Sequence, residues 1–596
     1  MNIPLLPKNA VLLTLLGLSF VVFGWFVFLL TLGSLFLFPL IATGATLFAA
    51  LILGITWKLL RSAHWDLRLA FVGALLYAVF VGVIAEPTLF SGRDQGSIAE
   101  AAYRLAHNTE LAFSTPGSDS FFQIYGAGTA LNFPGFAYTT QGYLLTQFPL
   151  GYTAWLGSFV SLFDLNGFAI GNSILLFLFL FFFYQLLRLF VHPYYAGAGL
   201  LLAITSFLPS WFAKVTLTEN MVIFLFVFLI YNIILFFQEG KFLFYLSILL
   251  SGGLLAFTRI EGFAFLFLTL ALIAFHPHTR ALIRTYPWKA LVVPGILFVF
   301  IVLRNFFFNL PYYKMIGKAL FRFLQSFSSD AIGAIERQTS SFGLGSVFFL
   351  YGLLILFLLG LFGFILFFKE KRYLLLVPAF IALPTLLYLF HPNITPDYPW
   401  MLRRFLFSLF PTLLFSAVLA LALLGAEQRT LPVARPRGKR LLFVSLAFLG
   451  LFLLQFPAWQ GQLLFAEQRT LRDQIARFSQ DFSDQDLILV DQNVTGDGFA
   501  MLSGPGQFLF GKNTVYFFNP YDFTALDTKR YEHIYLIAPE ENQGRYAAVF
   551  GDRLVFKKSI VFTSEHWENR SLKQALPLRL PNIETTETRN SLFQLY

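Results

Sequence analysis

Carboxylates and guanidinium groups recur at the ends of long apolar runs in this chain. Arg93 and Asp94 follow one such run in "GRDQGSIAEAA". Lys214 and Glu219 flank the short turn in "AKVTLTENM". Arg259 and Glu261 interrupt two apolar stretches in "TRIE", and Asp397, Arg403 and Arg404 lie in "PDYPWMLRR". A charge at bilayer depth is costly unless it pairs or faces a wet cavity. Such groups gathered at one level imply a shared polar cavity. Arginine in number suits phosphate, bidentately where geometry allows. A carboxylate in a cationic setting can serve as a general base. A cavity with both could hold a lipid phosphate while taking a proton from a hydroxyl.

The elements that must position these groups are membrane helices. Of 596 residues, 57% are hydrophobic and 12% charged, and 78 are Phe. A soluble fold of this length cannot cover so much apolar side chain with so little charge. Many runs reach the roughly 20 residues that cross a bilayer. We expect a polytopic α-helical membrane protein with about 13 transmembrane helices. They fall near 10–31, 35–58, 69–86, 167–190, 195–213, 219–238, 241–257, 260–275, 290–308, 345–368, 373–391, 404–424 and 441–456. The first run is long and has only Lys8 before it, so it is expected to be retained rather than cleaved. Cysteine is absent, which excludes disulfides, thiolate metal sites and thiol nucleophiles. The net charge of +10 reports mainly on cytoplasmic loops. No basic, aromatic-interleaved patch points to nucleic acid.

The Lys/Arg-bearing segments 57–68, 276–289, 368–373 and 427–440 should be cytoplasmic. With the N-terminus inside, all four fall inside. The loops 87–166, 309–344 and 392–403 then lie outside, as do residues 457–596. Counting "QFPLGYTAWLGSFVSLF" (147–163) as a span would flip the later basic loops. It therefore reads as a juxtamembrane helix at the outer interface, where Pro149, Gly151, Tyr152 and Trp155 suit the depth. The short spans at 241–257 and 260–275 form a tight hairpin or a broken pair whose polar break faces a cavity. The expected organisation is two N-terminal helices (1–68), a transmembrane catalytic domain (69–456) and an extracytoplasmic soluble α/β domain (457–596). Strands are expected at 486–491, 513–519, 533–540 and 555–563, separated by polar, Gly-rich turns. The location implied is the cytoplasmic membrane of a bacterium or archaeon.

The order and sidedness of four segments resemble the GT-C superfamily of membrane glycosyltransferases. That superfamily includes protein O-mannosyltransferases and aminoarabinose transferases, the family 39-like members. The first is "GRDQGSIAEAA", an acidic residue opening the first large outer loop. That loop leads through a Pro-aromatic segment, "TQFPLGYTAWLGSFVSLFDLNGFAIGNSILL", into the next span. The others are "TLTENMVIFLFVF", "LSGGLLAFTRIEGFAFLF" and "PDYPWMLRRFLFSLFP". The resemblance covers residues 69–424 and departs in having two spans before the usual first one. It implies hexosyl or pentosyl transfer from a polyprenyl-phosphate donor to a glycan, lipid or protein acceptor at the outer face. By it, Asp94 is the general base and Glu219 the second catalytic carboxylate. By it too, Arg259 and Arg403 or Arg404 hold the donor phosphate. The gathering of charged residues on the outer face adds Lys214 and both Arg403 and Arg404 to the phosphate-binding candidates, and Arg93, Glu261 and Asp397 to the rest of the cavity. No Asp-x-Asp motif stands in the outer loops, so neither a metal nor another cofactor is expected.

Plainer roles stand beside these. Asp94 could cap a helix starting near Ser97. Glu219 could serve its helix dipole. Arg259 and Glu261 could be a structural pair. Arg403, Arg404 and Lys214 could snorkel to lipid headgroups, and His391 reads as a loop residue. A transporter or flippase of lipid-linked saccharides is the alternative function. It too needs an outer cationic cavity, but it is expected to carry internal repeats, and the sequence displays none.

Overall fold

The computed structural model describes residues 9–86, 93–285, 288–310, 312–318, 321, 341–390, 397–425, 438–496, 498, 502–571 and 579–596. His391 and most of the basic segment 427–440 lie outside the described residues.

Three apolar helices open the chain: α1 (Ala10–Leu32), α2 (Phe38–Ser62) and α3 (Trp65–Ile84). A helix apolar on every side needs either lipid or other helices around it. α1 has helices: most of it is buried inside the bundle. α2 stays largely exposed along its apolar length, as a lipid-facing helix would. After them come α4 (Asp94–Asn108), α5 (Pro116–Tyr125), α6 (Leu150–Phe163), α7 (Asn166–Arg188), α8 (Pro193–Ile204), α9 (Phe207–Phe212), α10 (Glu219–Glu239), α11 (Phe242–Thr258) and α12 (Glu261–Ala274). α10 is the most enclosed long helix, packed by α7 and α11.

By length and composition, six described helices can cross a membrane, or nine if each of three bent pairs counts as one span. Five shorter apolar helices complete the described set. The structure thus gives fewer unbroken spans than the run lengths suggest, because several runs are broken. The run 195–213 breaks into α8 and α9 around Thr205 and Ser206. The run 345–368 turns by 106° at Tyr351–Gly352. The run 373–391 becomes a series of short 3-10 and α turns around Pro378 and Pro384, where proline removes a backbone donor. The run 404–424 bends by 60° before Leu409. Apolarity sets burial, but it does not keep a helix straight.

α6 has 14 residues, roughly 21 Å of helix, against the ~30 Å of a bilayer core. Leu150–Val160 is buried throughout, under α4 and against α1 and α7. It is short as expected, yet it is enclosed by other helices instead of lying on the bundle's surface. The loop between α5 and α6 holds a three-stranded antiparallel sheet that the sequence reading missed: β1 (Gly128–Thr129), β2 (Phe136–Tyr138) and β3 (Leu144–Thr146).

Beyond residue 462 the chain forms a mixed five-stranded sheet. Its strands are β5 (Leu487–Val490), β6 (Asn513–Tyr516), β7 (Ile534–Pro539), β8 (Leu554–Trp567) and β10 (Ile583–Leu595), in the order β6-β5-β7-β10-β8. β5 runs parallel to β6 and β7, and β10 pairs antiparallel with β7 and β8. β5 is buried on both faces, as a parallel strand inside a sheet should be. Ile488 and Val490 join Leu471, Ile475 and Phe478 in one core, while Leu487 and Leu489 join the core that runs into the helical bundle. Successive side chains of a strand point to opposite faces, so the sheet is clamped between its own helix, Leu471–Ser479, and the loop that carries α4 and α5.

That clamp puts the α4–α6 segment and the sheet domain at one end of the bundle. Asn132 Nδ2 donates to the Tyr516 carbonyl at 2.7 Å, and Tyr531 Oη to the Pro116 carbonyl at 2.9 Å. Tyr125 donates to Asp522. A two-residue strand, β4 (Asp397–Tyr398), pairs with β9 (Arg570–Ser571). Three chain-distant segments therefore converge at the level of Asp94.

Candidate functional site

α4 begins at Asp94, with Arg93 as its N-cap residue. The helix thus starts three residues before the start expected near Ser97. The Asp94 carboxylate does not cap it and turns instead to Arg403, whose Nη2 donates to Oδ2 at 2.6 Å. Arg403 Nε also stands 3.9 Å from Glu219 Oε1. The same Glu219 oxygen is 2.7 Å from Arg259 Nη1. Arg259 in turn binds Glu261, with Nε to Oε2 at 2.9 Å and Nη2 to Oε1 at 3.0 Å. Tyr388 donates to Glu261. Arg404 Nη1 lies 4.0 Å from Glu261 Oε1 and 3.4 Å from Tyr388 Oη.

The outcome is one chain of alternating charge: Asp94, Arg403, Glu219, Arg259, Glu261, then Arg404. Three carboxylates meet three guanidinium groups, so the network is neutral as it stands. Buried ions need this kind of pairing to survive the loss of water. Aromatic faces cover the cations. Arg259 sits 4.6 Å from the Phe407 ring centre and Arg404 5.2 Å from that of Tyr388. The two ends differ from the middle. Glu219 is 1% exposed and Arg259 10%, whereas Asp94 is 44% exposed and Arg404 22%. Arg404 has the loosest carboxylate contact of the three arginines in the network; among the described residues its Nε, like that of Arg259, is buried without a hydrogen-bond partner.

Local chain features hold these groups in place. Thr218 Oγ1 accepts from Arg259 Nη1 at 3.2 Å. In the turn before Glu219, Thr216 Oγ1 donates to the Gln95 carbonyl at 2.7 Å, tying that turn to the residue after Asp94. Asn220 closes the turn with bonds to the Phe212 and Val215 carbonyls at 2.9 and 2.8 Å. Arg93 pairs with Asp397 at 2.9 Å and lies 4.8 Å from the Trp400 ring centre. This second pair fixes the start of α4 against the segment that leads to Arg403.

Lys214 is placed elsewhere. Its Nζ donates to the carbonyls of Gln462, Leu463 and Phe465 at 2.5, 3.0 and 2.9 Å. All three ammonium protons are used at the end of the helix Gly438–Gln462, and the side chain is buried. Burial, and then the charge of Arg469, pulls its pKa down to about 7; the three carbonyls are the acceptors that hold the ammonium. Lys214 thus bridges the α9–α10 turn and the entry to the C-terminal sheet region. A sequence cannot reveal acceptors that are backbone carbonyls some 250 positions away.

The sequence reading missed Tyr388, Thr216 and Thr218. A tyrosine near a span end reads as interface belt, and threonines in a turn read as turn formers. One group of carboxylate and imidazole ligand atoms among the described residues lies within metal-sharing reach, that of Asp486, Glu532 and His533. It belongs to the sheet domain and includes no residue of the charged network.

No family model matches the chain, and no curated protein matches it either. Among solved structures, the fold is similar to two crystal structures of ArnT from Cupriavidus metallidurans. One is in the apo state, with a TM-score of 0.48 and 11% identity. The other is bound to undecaprenyl phosphate, with a TM-score of 0.46 and 10% identity. Both alignments cover 88% of this chain and 97% of the other.

Proposed function

We propose that this protein is a GT-C-type glycosyltransferase that moves a sugar from a polyprenyl-phosphate donor to an acceptor hydroxyl at the outer face of the membrane. The observation that carries the reading is the alternating charge chain with an accessible carboxylate, Asp94, at one end and an under-paired arginine, Arg404, at the other. Asp94, Glu219, Arg259 and the Arg403–Arg404 pair all lie in the segments that resemble the superfamily, which supports the reading.

In this mechanism Asp94 takes the proton from the acceptor hydroxyl as its oxygen attacks the anomeric carbon. The bond from that carbon to the phosphate oxygen breaks, and the electron pair leaves with the polyprenyl phosphate. The donor phosphodiester carries one negative charge, and the departing monoester carries up to two. Arg404 faces the phosphate, and Arg403 shares the task. Protonation of Asp94 releases Arg403 from its carboxylate just as the extra phosphate charge forms. The enzyme then offers more positive potential to the transition state than to the ground state, which is the requirement for electrostatic catalysis. Glu219 and Glu261 hold Arg259 and the shared arginines in register. Because the network's carboxylates all face arginines, we read the transfer as metal-independent.

The test is binding of polyprenyl phosphate to the full chain in nanodiscs, beside transfer from a polyprenyl-phosphate sugar. Wild type should bind, and Arg403→Ala/Arg404→Ala should not. Binding by neither would remove the reading. EDTA should leave turnover unchanged; loss of turnover that Mg²⁺ or Mn²⁺ restores would overturn the metal-independent reading alone.

A further inference from the structure

A cavity of about 700 Å³ opens between the β1–β3 sheet and residues 307–310 and 312–318. Its sheet wall presents hydroxyl and amide groups, among them Thr139, Gln141 and Gln147. Its other wall carries Lys314 and Lys318, and Phe308 adds an aromatic face. The two lysines are one helical turn apart in Tyr312–Lys318, so they share a face. Both are exposed, and among the described residues no carboxylate lines the cavity.

The cavity's walls are tied by packing and hydrogen bonds to the elements that carry the network. Gly135 has a φ of +86°, and a Cβ there would meet Ser97 at 2.1 Å, so a glycine is needed for this approach to α4. Ser97 lies one turn past Asp94 and donates to the Pro134 carbonyl at 3.0 Å. The Gln147 backbone N–H donates to the Gly135 carbonyl at 3.0 Å, and Asn309 Nδ2 joins the two walls through the Phe148 carbonyl at 3.0 Å. Tyr312, on the lysine wall, is buried within electrostatic reach of Glu261 and Arg259.

We infer that this cavity is the acceptor site and that the acceptor is an anionic saccharide. The inference rests on the transferase reading. Hydroxyl and amide groups beside an aromatic face suit a sugar, and two exposed ammonium groups on one helix face suit a carboxylate or phosphate on it. The charge network is neutral and receives the donor's anion, so it has no cation to spare for a second one. The lysines supply that attraction, and its dependence on salt follows from their exposure.

The test uses the full chain in nanodiscs of uncharged lipid, with trigalacturonate and maltotriose as acidic and neutral probes of equal length. Glucose 6-phosphate against glucose separates phosphate from carboxylate as the anionic group. Trigalacturonate or glucose 6-phosphate should bind at least tenfold tighter than its neutral partner, and 300 mM salt should erase the difference. Lys314→Gln/Lys318→Gln should lose the preference while retaining polyprenyl phosphate binding. Equal binding of acidic and neutral probes, or a preference that survives the double substitution, overturns the inference. Polyprenyl phosphate binding in the same preparations separates the two readings. If it persists without an acidic preference, only the acceptor assignment falls. If it is absent while the preference holds, the transferase reading falls and the anionic saccharide site stands.

Discussion

Arg403 and Asp94 are 309 positions apart in the chain and meet through a 2.6 Å hydrogen bond. The same guanidinium lies 3.9 Å from Glu219. The carboxylate proposed as base is thereby held by the arginine proposed to meet the leaving phosphate. Asp94→Asn keeps an oxygen that accepts from Arg403 and removes the basic group. Its kcat should fall by roughly 10²–10⁴-fold, the usual worth of a general base, while polyprenyl phosphate affinity stays within about twofold. A variant with full turnover would show that another group takes the proton.

The three arginines should fail in different ways. Arg259 makes the closest ion pair of two buried carboxylates, Glu219 and Glu261, whose other arginines stand at 3.9 and 4.0 Å. Arg259→Ala leaves both without it, and loss of one partner of a buried ion pair costs about 3–5 kcal/mol. It should appear as a loss of thermal stability or of folded yield. Arg404 is only 4.0 Å from its nearest carboxylate. Arg404→Ala should leave the melting temperature nearly unchanged and raise the KM for the polyprenyl-linked donor about tenfold or more. Equal stability loss in both variants would mean that Arg404 is structural.

Lys214→Met distinguishes a strut from a phosphate ligand. It leaves three carbonyls at Gln462, Leu463 and Phe465 without their donor. Hydrogen bonds to a charged group are worth about 1.5–3 kcal/mol each, but the sheet domain can relax around the loss. A net cost of about 2–4 kcal/mol is expected on that scale. Donor affinity should not change. A raised KM with unaltered stability would restore Lys214 to the donor site.

Much of this site is legible in the sequence, and the reason is cost. Asp94, Glu219, Arg259, Glu261, Arg403 and Arg404 each stand at the end of an apolar run, where an unpaired charge could not persist. Their pairing order is not legible, because it depends on how helices far apart in sequence cross. Lys214 passes the same cost test, yet its partners are carbonyls, which every residue has. The strand β10 was missed for a related reason. After Ile583, "ETTETRN" carries only polar side chains, and the strand's outer half extends past the sheet's core, paired with β8 alone. The breaks at Pro378 and Pro384 mark where run length overstates helix continuity.

Glu100 gives the sheet domain a pH dependence of known sign. It lies on α4, buried against the helix Ser503–Phe508; a Cβ on Gly504 would come within 1.7 Å of Glu100 Oε1, so only glycine permits the contact. Burial raises the Glu100 pKa well above the ordinary 4.5. The carboxyl therefore packs with its proton on, and the unfolded chain releases that proton first as pH rises. Its contribution to stability is complete below the unfolded value and is lost as pH climbs through the raised folded value. Above it, the folded state holds a buried charge. Glu100→Gln keeps the shape and removes the titration. The melting temperature of wild type should therefore fall relative to that of Glu100→Gln as pH is raised from 4.5. The difference should level off above the folded pKa. The variant should also keep the contact of α4 with the sheet domain at high pH, measured by protection of the Ser503–Phe508 amides from hydrogen exchange. Parallel melting curves across that range would mean that Glu100 is not held neutral at this contact.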